Sequence, residues 1–477
     1  MKNVLIGRNA EIDQLKKIAS SGKAEFVAIY GRRRVGKTFL VNKVFSDNLT
    51  FSMTGILDAD RKAQIHAFCE AMELAGNPLS KKPTDWYEAF QMLRRFLSTK
   101  QQNGEQCIVF IDELPSFDTH RSDFVKALGF FWNSWASLQN NFMLIVCGSS
   151  TSWMMQNIID SHGGLHDRIT HEMHIKEFSL KEVEAYLNEN GFFWDRLIIL
   201  QAYMVFGGIP YYYSLLNNED SLAQNIDRLL FSPHGEMRHE FTRLYKTLFL
   251  KPEPYISIIE ALFKRKEGLS KTELAHTIGK NANGRLSFML NNLVDCDIIH
   301  FYHIKNKKIS KRNGIFQLTD FFSCFYLQFM KDGNREENFW SKSSFAPEIN
   351  TWRGLTFESV CKAHITQIKE ALRIGGVRTS YYSWRSNTDI NKQKAQIDLI
   401  IERADKTINI CEIKYSESPY ILTKEEYSKF RGRTDAFIQQ TAYKGGIIPT
   451  FITVSGLQKN TYSEYVPITI TLDQLFT

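Results

Sequence analysis

The run Phe26-Val27-Ala28-Ile29-Tyr30-Gly31-Arg32-Arg33-Arg34-Val35-Gly36-Lys37-Thr38 decides how this chain folds. An apolar, β-favouring segment, Phe26 to Tyr30, leads straight into the pattern G-x-x-x-x-G-K-T, and a helix-like segment, Phe39 to Phe45, follows. Gly31 and Gly36 admit backbone angles closed to bulkier residues. The consecutive N–H groups between them, from Arg32, Arg33, Arg34 and Val35, can therefore turn inward around a phosphate. Lys37 would then reach the β- and γ-phosphates and Thr38 would offer its hydroxyl to Mg²⁺. The helix starting near Phe39 would point its positive end at the anion. A strand before the motif and a helix after it set it apart from a chance glycine-rich turn. The stretch implies a nucleotide site built from Gly31 to Phe39.

Two more apolar runs extend this picture. Cys107 to Ile111 closes on Asp112 and Glu113, and Phe142 to Cys147 closes on Gly148, Ser149 and Ser150. Continuous apolar runs are what central parallel strands covered on both faces look like. Alternating with helical segments, they imply a doubly wound sheet with its ligand at the carboxyl ends of the strands. Asp112 and Glu113 would then lie beside the phosphate loop. Asp112 is expected to hold Mg²⁺ through its water shell, and Glu113 to orient and polarise an attacking water. Ser149 or Ser150 is expected at the γ-phosphate or that water, the competing reading being a plain strand-ending turn. Arg168, after Gly163-Gly164, is a candidate for stabilising charge on a transferred phosphoryl group, against the alternative of a surface arginine. His171-Glu172-Met173-His174 is no zinc-protease helix, because H-E-x-x-H would need histidine where Ile175 stands. His162 and His166 are separated by two glycines and are likewise rejected as ligands.

With 477 residues the chain is too long for a single core. The 59 basic and 52 acidic residues leave a formal charge of +7, compatible with nucleic acid but no electrostatic signature. Seven scattered cysteines without a C-x-x-C pair argue against a zinc knuckle or a disulfide framework and for a reducing cytoplasm. The N-terminal apolar run is too short for a signal peptide. No apolar run approaches the ~20 residues of a membrane helix.

The chain divides into units at 1–177, 178–250, 251–335, 336–350 and 351–477. Within the first, Val4 to Arg8 and a helix with Ile12, Leu15 and Ile18 on one face would flank the nucleotide site. The second reads as a small helical lid whose Gly207-Gly208 stops a helix and whose Pro210 fixes the next turn. In the third, helices are expected at Ile256–Phe263, Lys271–Ile278 and Arg285–Asp295, with a capping box from Ser270 to Glu273. Strand-like runs follow at Ile298–Ile304 and Gly314–Leu318, joined by a segment carrying Lys305, Lys307, Lys308, Lys311 and Arg312. This order resembles a winged helix-turn-helix, whose third helix would enter a major groove while the wing touches phosphates. Such modules also mediate protein contacts. Phe321 to Phe329 reads as a packed helix face, and 336–350 as a polar linker.

From 351 onward a helix beginning at Trp352 and carrying Glu358 precedes strands with Asp398 and with Glu412-x-Lys414. Period-two alternation puts Glu412 and Lys414 on one strand face, and a neighbouring strand can bring Asp398 alongside. Carboxylates at Glu358, Asp398 and Glu412 would hold Mg²⁺. Lys414 would position water or stabilise charge during phosphodiester cleavage, steadied by Gln439 or Gln440. The competing reading is a surface strand whose Glu and Lys pair across the pleat.

Through Ile6-Gly7-Arg8, Gly31–Thr38, Val109–Glu113, Cys147–Ser150 and Gly207–Pro210, the N-terminal two-thirds resembles the archaeal-type P-loop ATPases of the AAA+/STAND grouping. The resemblance implies ATP and Mg²⁺ as ligands and a nucleotide-sensing role for Pro210. The last ~130 residues resemble the PD-(D/E)XK nuclease-like domain. Glu358, Asp398, Glu412 and Lys414 fall on its acidic and E-x-K positions, with Ile397 where a proline is usual. Together the resemblances imply an ATP-dependent switch on DNA with a Mg²⁺-dependent nuclease-like domain. The rivals are a signalling scaffold on an inactive nuclease fold and a winged-helix transcriptional regulator. The expected partners are ATP and DNA, with self-association left open and no membrane.

Overall fold

The computed structural model describes residues 5–477 apart from 120–121, 160–164, 166, 250, 304–313, 334 and 391–392. Five strands, β1 (Ala24–Tyr30), β2 (Leu49–Thr54), β3 (Cys107–Asp112), β4 (Phe142–Gly148) and β5 (His171–His174), form a parallel sheet in the order β2-β3-β4-β1-β5. All residues of β3 and β4 are buried. Their side chains feed two cores in alternation. Val27, Ile29, Phe110 and Ile145 enter one with the helices Asn9–Ala19 and Lys37–Phe45; Ala28, Val109, Ile111 and Val146 enter the other with Arg61–Leu74 and Trp86–Gln102. Two covered faces are why these strands read as unbroken apolar runs. Tyr30 stands opposite Gly148 and Thr54 opposite Asp112, so the strand ends form one edge.

Residues 178–248 form helices, as read. Ser179 and Glu182 cap the helix Leu180–Glu189 reciprocally. The helix Arg196–Phe206 stops at Gly207, whose φ of 62° suits glycine, and Pro210 opens the turn Pro210–Tyr213. Next come the helices Glu253–Phe263, Lys271–Thr277 and Gly284–Asp295 with β6 (Leu269–Ser270), β7 (Ile299–His303) and β8 (Gly314–Leu318), an antiparallel sheet in the order β6-β8-β7. The Ser270–Glu273 capping box is present. The basic cluster Lys305, Lys307, Lys308, Lys311 and Arg312 lies outside the described residues. Phe321–Phe329 is a helix burying Phe321, Phe322, Phe325 and Phe329.

The expected linker at 336–350 is instead ordered structure. A short helix, Phe339–Ser343, buries Trp340, and the amides of Trp340 and Ser341 donate to Asp227 at 2.8 and 2.9 Å. The following helix, Pro347–Ala363, begins five residues before Trp352 because Pro347 can occupy a first helical turn. Polar composition misled here, since one tryptophan and a distant aspartate fix the segment.

The last sheet, in the order β13-β12-β11-β10-β9, holds β9 (Thr379–Ile390), β10 (Gln393–Arg403), β11 (Thr407–Lys414), β12 (Gly446–Thr453) and β13 (Ile468–Ile470). β9, β10 and β11 pair antiparallel, whereas β11, β12 and β13 pair parallel, the helix Lys424–Thr441 connecting β11 to β12. One apolar core runs without interruption from the first sheet through the helices of 178–248 to Leu399, Ile413 and Ile470. At this junction His364 is buried. Its Nδ1 bonds the Val360 carbonyl at 2.9 Å, and its Nε2 accepts from the Leu180 amide at 3.0 Å. Only a neutral ring does both, and burial pushes its pKa down to about 4. Among the described residues, no helix is long and apolar enough to cross a membrane.

Candidate functional site

The phosphate loop connects β1 to the helix Lys37–Phe45. Gly31 takes a φ of 143°, and a Cβ there would come within 2.3 Å of the Ile175 carbonyl oxygen. Gly36 takes a φ of 92° at the helix N-terminus, and a Cβ there would meet nothing within 4 Å. The first glycine is required by a close backbone and the second by conformation, which leaves room in front of the helix for an anion. The Lys37 ammonium is buried and donates to the carbonyls of Gly31 and Arg32 at 2.9 and 3.0 Å, folded over the loop. Thr38 Oγ1 donates to Asp112 Oδ2 at 2.7 Å. A hydroxyl and a carboxylate meeting at one point are the hard oxygen donors that suit Mg²⁺, so the residues present fit that ion with a phosphate.

β4 stands between β1 and β3, so the serines at its end sit between loop and acids. Glu113 has a left-handed φ of 48°, and its Oε2 accepts from Ser149 Oγ at 2.8 Å. Its amide donates to Asp112 Oδ1 at 2.9 Å. Thr38, Asp112, Glu113 and Ser149 are thus joined by hydrogen bonds, with Lys37 next to Thr38 in the chain. Arg8 packs from the flanking segment, its guanidinium on the carbonyls of Lys176 and of Val35 in the loop. Phe39 is exposed on the first turn after the loop. Arg168 is exposed as well, its amide bonded to the Leu165 carbonyl at 3.1 Å.

The side chains of the three loop arginines, on which the sequence reading was silent, serve as inter-element anchors. Arg32, 2% exposed, bonds Glu177 at 2.6 Å and Asp320 at 2.5 Å. Arg33 donates to Thr247 Oγ1 at 2.5 Å. Arg34 pairs with Glu240 and lies 4.2 Å from the Tyr211 ring centroid. The three side chains thus turn toward neighbouring elements. Burial works against the Arg32 charge, but Asp320 and Glu177 outweigh it and hold its pKa well above the ordinary value. Glu177 is shifted up, chiefly by burial. Pro210 is one residue from Tyr211, and Gly208 donates to Glu177 Oε2 at 3.3 Å, so the glycine-proline turn meets the loop through these anchors.

A second charged centre lies in the C-terminal sheet. Glu412 is buried on β11, on the face packed against the helix Lys424–Thr441. Its Oε1 meets Lys414 Nζ at 2.9 Å, and its Oε2 accepts from Arg433 at 2.6 Å. The β10–β9 register shifts between Ile397 and Ile400, so Asp398 sits in a bulge, a device that re-aims one side chain. Burial, then the Glu412 charge, raise the Asp398 pKa. Burial, then the Asp398 charge, push Glu358 up to about 7. Lys414 is shifted up because Glu412 outweighs its burial.

Glu358, Asp398, Glu412 and Lys414 therefore share one electrostatic neighbourhood. The expected metal cage is not formed. Both oxygens of Glu412 are engaged by cations, and among the described residues no group of three or more His, Cys, Asp or Glu is arranged to hold a metal. Gln439 is exposed and Gln440 half-buried, and it is Arg433, from their helix, that meets the Glu412–Lys414 pair. Sequence reading missed Arg433, and also Lys362, one helical turn beyond Glu358. The i,i+4 spacing of Lys362 was the available signal.

Residues 5–216 match the family model of an ATPase domain predominantly from Archaea, and residues 325–430 match one of archaeal and bacterial proteins of unknown function. An uncharacterised protein of Methanocaldococcus jannaschii is 23% identical over 420 residues, 87% of this chain and 88% of that protein. Among solved structures, a Walker-type ATPase of Pyrococcus abyssi shares the fold at a TM-score of 0.51 and 18% identity. That likeness covers 68% of this chain and 96% of that one. A looser likeness, TM-score 0.43 at 14% identity, is to the Aeropyrum pernix ORC2 protein, over 72% of this chain and 98% of that one. With the parallel sheet and the Thr38–Asp112 geometry, the match over residues 5–216 supports an ATP-binding P-loop ATPase domain in the N-terminal part.

Proposed function

We propose that the chain is an ATP-hydrolysing switch acting on DNA, with a winged helix at 251–335 and a C-terminal domain of restriction-endonuclease-like fold. The observation that carries the ATPase reading is the 2.7 Å bond from Thr38 to Asp112 beside the Lys37 ammonium and an open helix N-terminus. Loop amides and Lys37 bind the β- and γ-phosphates, and Thr38 and Asp112 hold Mg²⁺, which when bound neutralises phosphate charge. Glu113 accepts a proton from the water that attacks the γ-phosphorus, and the bond from that phosphorus to the β–γ bridging oxygen breaks, releasing ADP and phosphate. Ser149 holds the Glu113 carboxylate in place until then. Arg168 is assigned to the phosphoryl charge only in a closed form that brings it in.

The switch reading draws support from Arg32. Asp320 caps the helix Phe321–Phe329, which follows directly on the proposed wing, and Arg32 ties that cap to the phosphate loop. Closing the loop on a nucleotide therefore loads the tie, and releasing phosphate relaxes it. Pro210, beside Tyr211 and Arg34, would report the same change to the lid.

The C-terminal centre supports two readings. Carboxylates crowded around a bulged strand, with Glu358 and Asp398 shifted up by burial, favour a nuclease that recruits its metal together with DNA. The closed pairing of Glu412 with Lys414 and Arg433 favours a non-cleaving nucleic-acid or scaffold domain. Measuring ATP turnover with and without DNA, and sizing the DNA afterwards with Mg²⁺ or Mn²⁺ present, separates them. Lys37→Ala should lower ATP affinity about a hundredfold. Glu113→Gln should keep binding and lose about 10²–10⁴ in turnover. Wild-type ATP affinity in Lys37→Ala overturns the loop assignment, and DNA recovered intact settles for the non-cleaving domain.

A further inference from the structure

A cleft of about 1050 Å³ lies between the 251–335 unit and the C-terminal domain. This is the volume range of a built ligand site, and larger than one small molecule needs. One wall presents Tyr302 and Lys266; the other presents Lys362, Tyr382 and Trp384, with Glu358 beside Lys362. The walls are joined by Arg385, which bonds Glu267 of the facing wall and Gln396 of its own, both at 2.9 Å. Arg385 and Glu267 are both partly exposed, so this strap is weak and replaceable.

The lining has three kinds of group with separate uses. Trp384 stands half-buried and edge-on to Phe437 at 5.4 Å, a fixed aromatic platform. Gln317 and Gln396 carry amides that both donate and accept. Lys266 and Lys362 place two ammonium groups on opposite walls, while Glu358 couples the cleft to Asp398 and Glu412. Flat rings, amides and two lysines match the face, the edge and the phosphate of a nucleotide in turn.

We propose that this cleft binds nucleotide units, bases on the Tyr382–Trp384 wall and phosphate between Lys266 and Lys362, next to the Glu358 centre. It deepens the nucleic-acid reading above by naming where that ligand sits, and needs neither ATP turnover nor cleavage. The same chemistry serves a single strand or a free mononucleotide.

The test uses the full chain carrying Lys37→Ala, so that the phosphate loop contributes nothing, in EDTA, so that no strand is cut. Fluorescein-labelled (dT)₁₂ is titrated by anisotropy, dTMP by competition and by quenching of tryptophan emission, and a blunt duplex of equal length serves as comparison. Single-strand binding that Trp384→Leu and Lys362→Gln each weaken by roughly tenfold is the expected result, with the Trp384→Leu protein losing part of the quench. Displacement by dTMP at micromolar concentration assigns the cleft to the free nucleotide; displacement by strand alone assigns it to single-stranded nucleic acid. If neither probe binds, or if both variants bind as the parent does, the proposal is overturned. Arg385→Gln, which removes only the strap, keeps the test decisive should Trp384→Leu fold poorly, because opening the cleft should change the (dT)₁₂ association rate. ATP turnover of Trp384→Leu in the otherwise wild-type chain, measured separately, should be unchanged, so the two readings fail independently.

Discussion

At Arg32 one guanidinium is shared by two carboxylates, Glu177 and Asp320; at Glu412 one carboxylate is shared by two cations, Lys414 and Arg433. The two clusters are near mirror images in charge, and they differ in where their partners come from. The Arg32 cluster gathers a loop residue, the entry to the 178–248 helices and a helix cap inside the 251–335 unit. The Glu412 cluster comes from one sheet and the helix laid on it. They differ in exposure too: the Asp320 and Glu177 side chains are 3% and 20% exposed, whereas Lys414 and Arg433 are 37% and 29% exposed. A buried shared ion has no water to fall back on and holds its partners in one arrangement. Partly solvated cations can leave a carboxylate at little cost, which suits a site that exchanges partners with a ligand.

The sharpest way to break this contrast is Arg32→Ala. It leaves two carboxylates facing each other without their cation, and should cost about 3–5 kcal/mol in urea unfolding. A loss under about 1 kcal/mol would make the two clusters equivalent. Next in size is Glu358→Gln, read against pH. The folded pKa of Glu358, about 7, lies above its unfolded value near 4.5, so the folded state binds the extra proton between them. Stability from this group therefore falls as pH rises from about 4.5 to 7, and the full penalty stands above that. Glu358→Gln should remove its own share of the slope, leaving that of Asp398, and stabilise the protein at pH 8 by on the order of 2–3 kcal/mol. Thermal melts of both proteins across that range check it.

Smaller effects sharpen the comparison. Arg433→Ala leaves Lys414 on Glu412 and should cost about 1–2 kcal/mol. Arg33→Ala removes one hydrogen bond to Thr247 and should cost only about 0.5–1 kcal/mol, although Arg33 adjoins Arg32 in sequence. An Arg33 effect as large as that of Arg32 would mean that the whole loop, rather than one buried ion, carries the tie.

What could be read from residues follows the range of each interaction. The phosphate loop is local, and its strand–loop–helix context lies within about twenty positions, so Gly31 to Thr38 were legible before any coordinates. Asp112, Glu113 and Ser149 followed because parallel strands must end on one edge. The arginine side chains were not legible, because Glu177 lies 145 positions from Arg32 and nothing in the motif distinguishes an anchor from a phosphate ligand. In the C-terminal part, period two placed Glu412 beside Lys414, but Arg433 approaches from a helix whose rotation over the sheet no spacing reveals. The supposed linker at 336–350 failed for a related reason: Trp340 is held by Asp227, more than a hundred positions earlier.

The uninterrupted apolar core that joins the first sheet to the last bears on how this molecule comes apart. Bodies sharing one interior are coupled in unfolding, so calorimetry should record transitions that overlap more closely than those of independently folded domains. Truncation after the lid would strip apolar surface from what remains, and such a fragment should clump. For anyone dissecting this chain, point substitution is the usable scalpel.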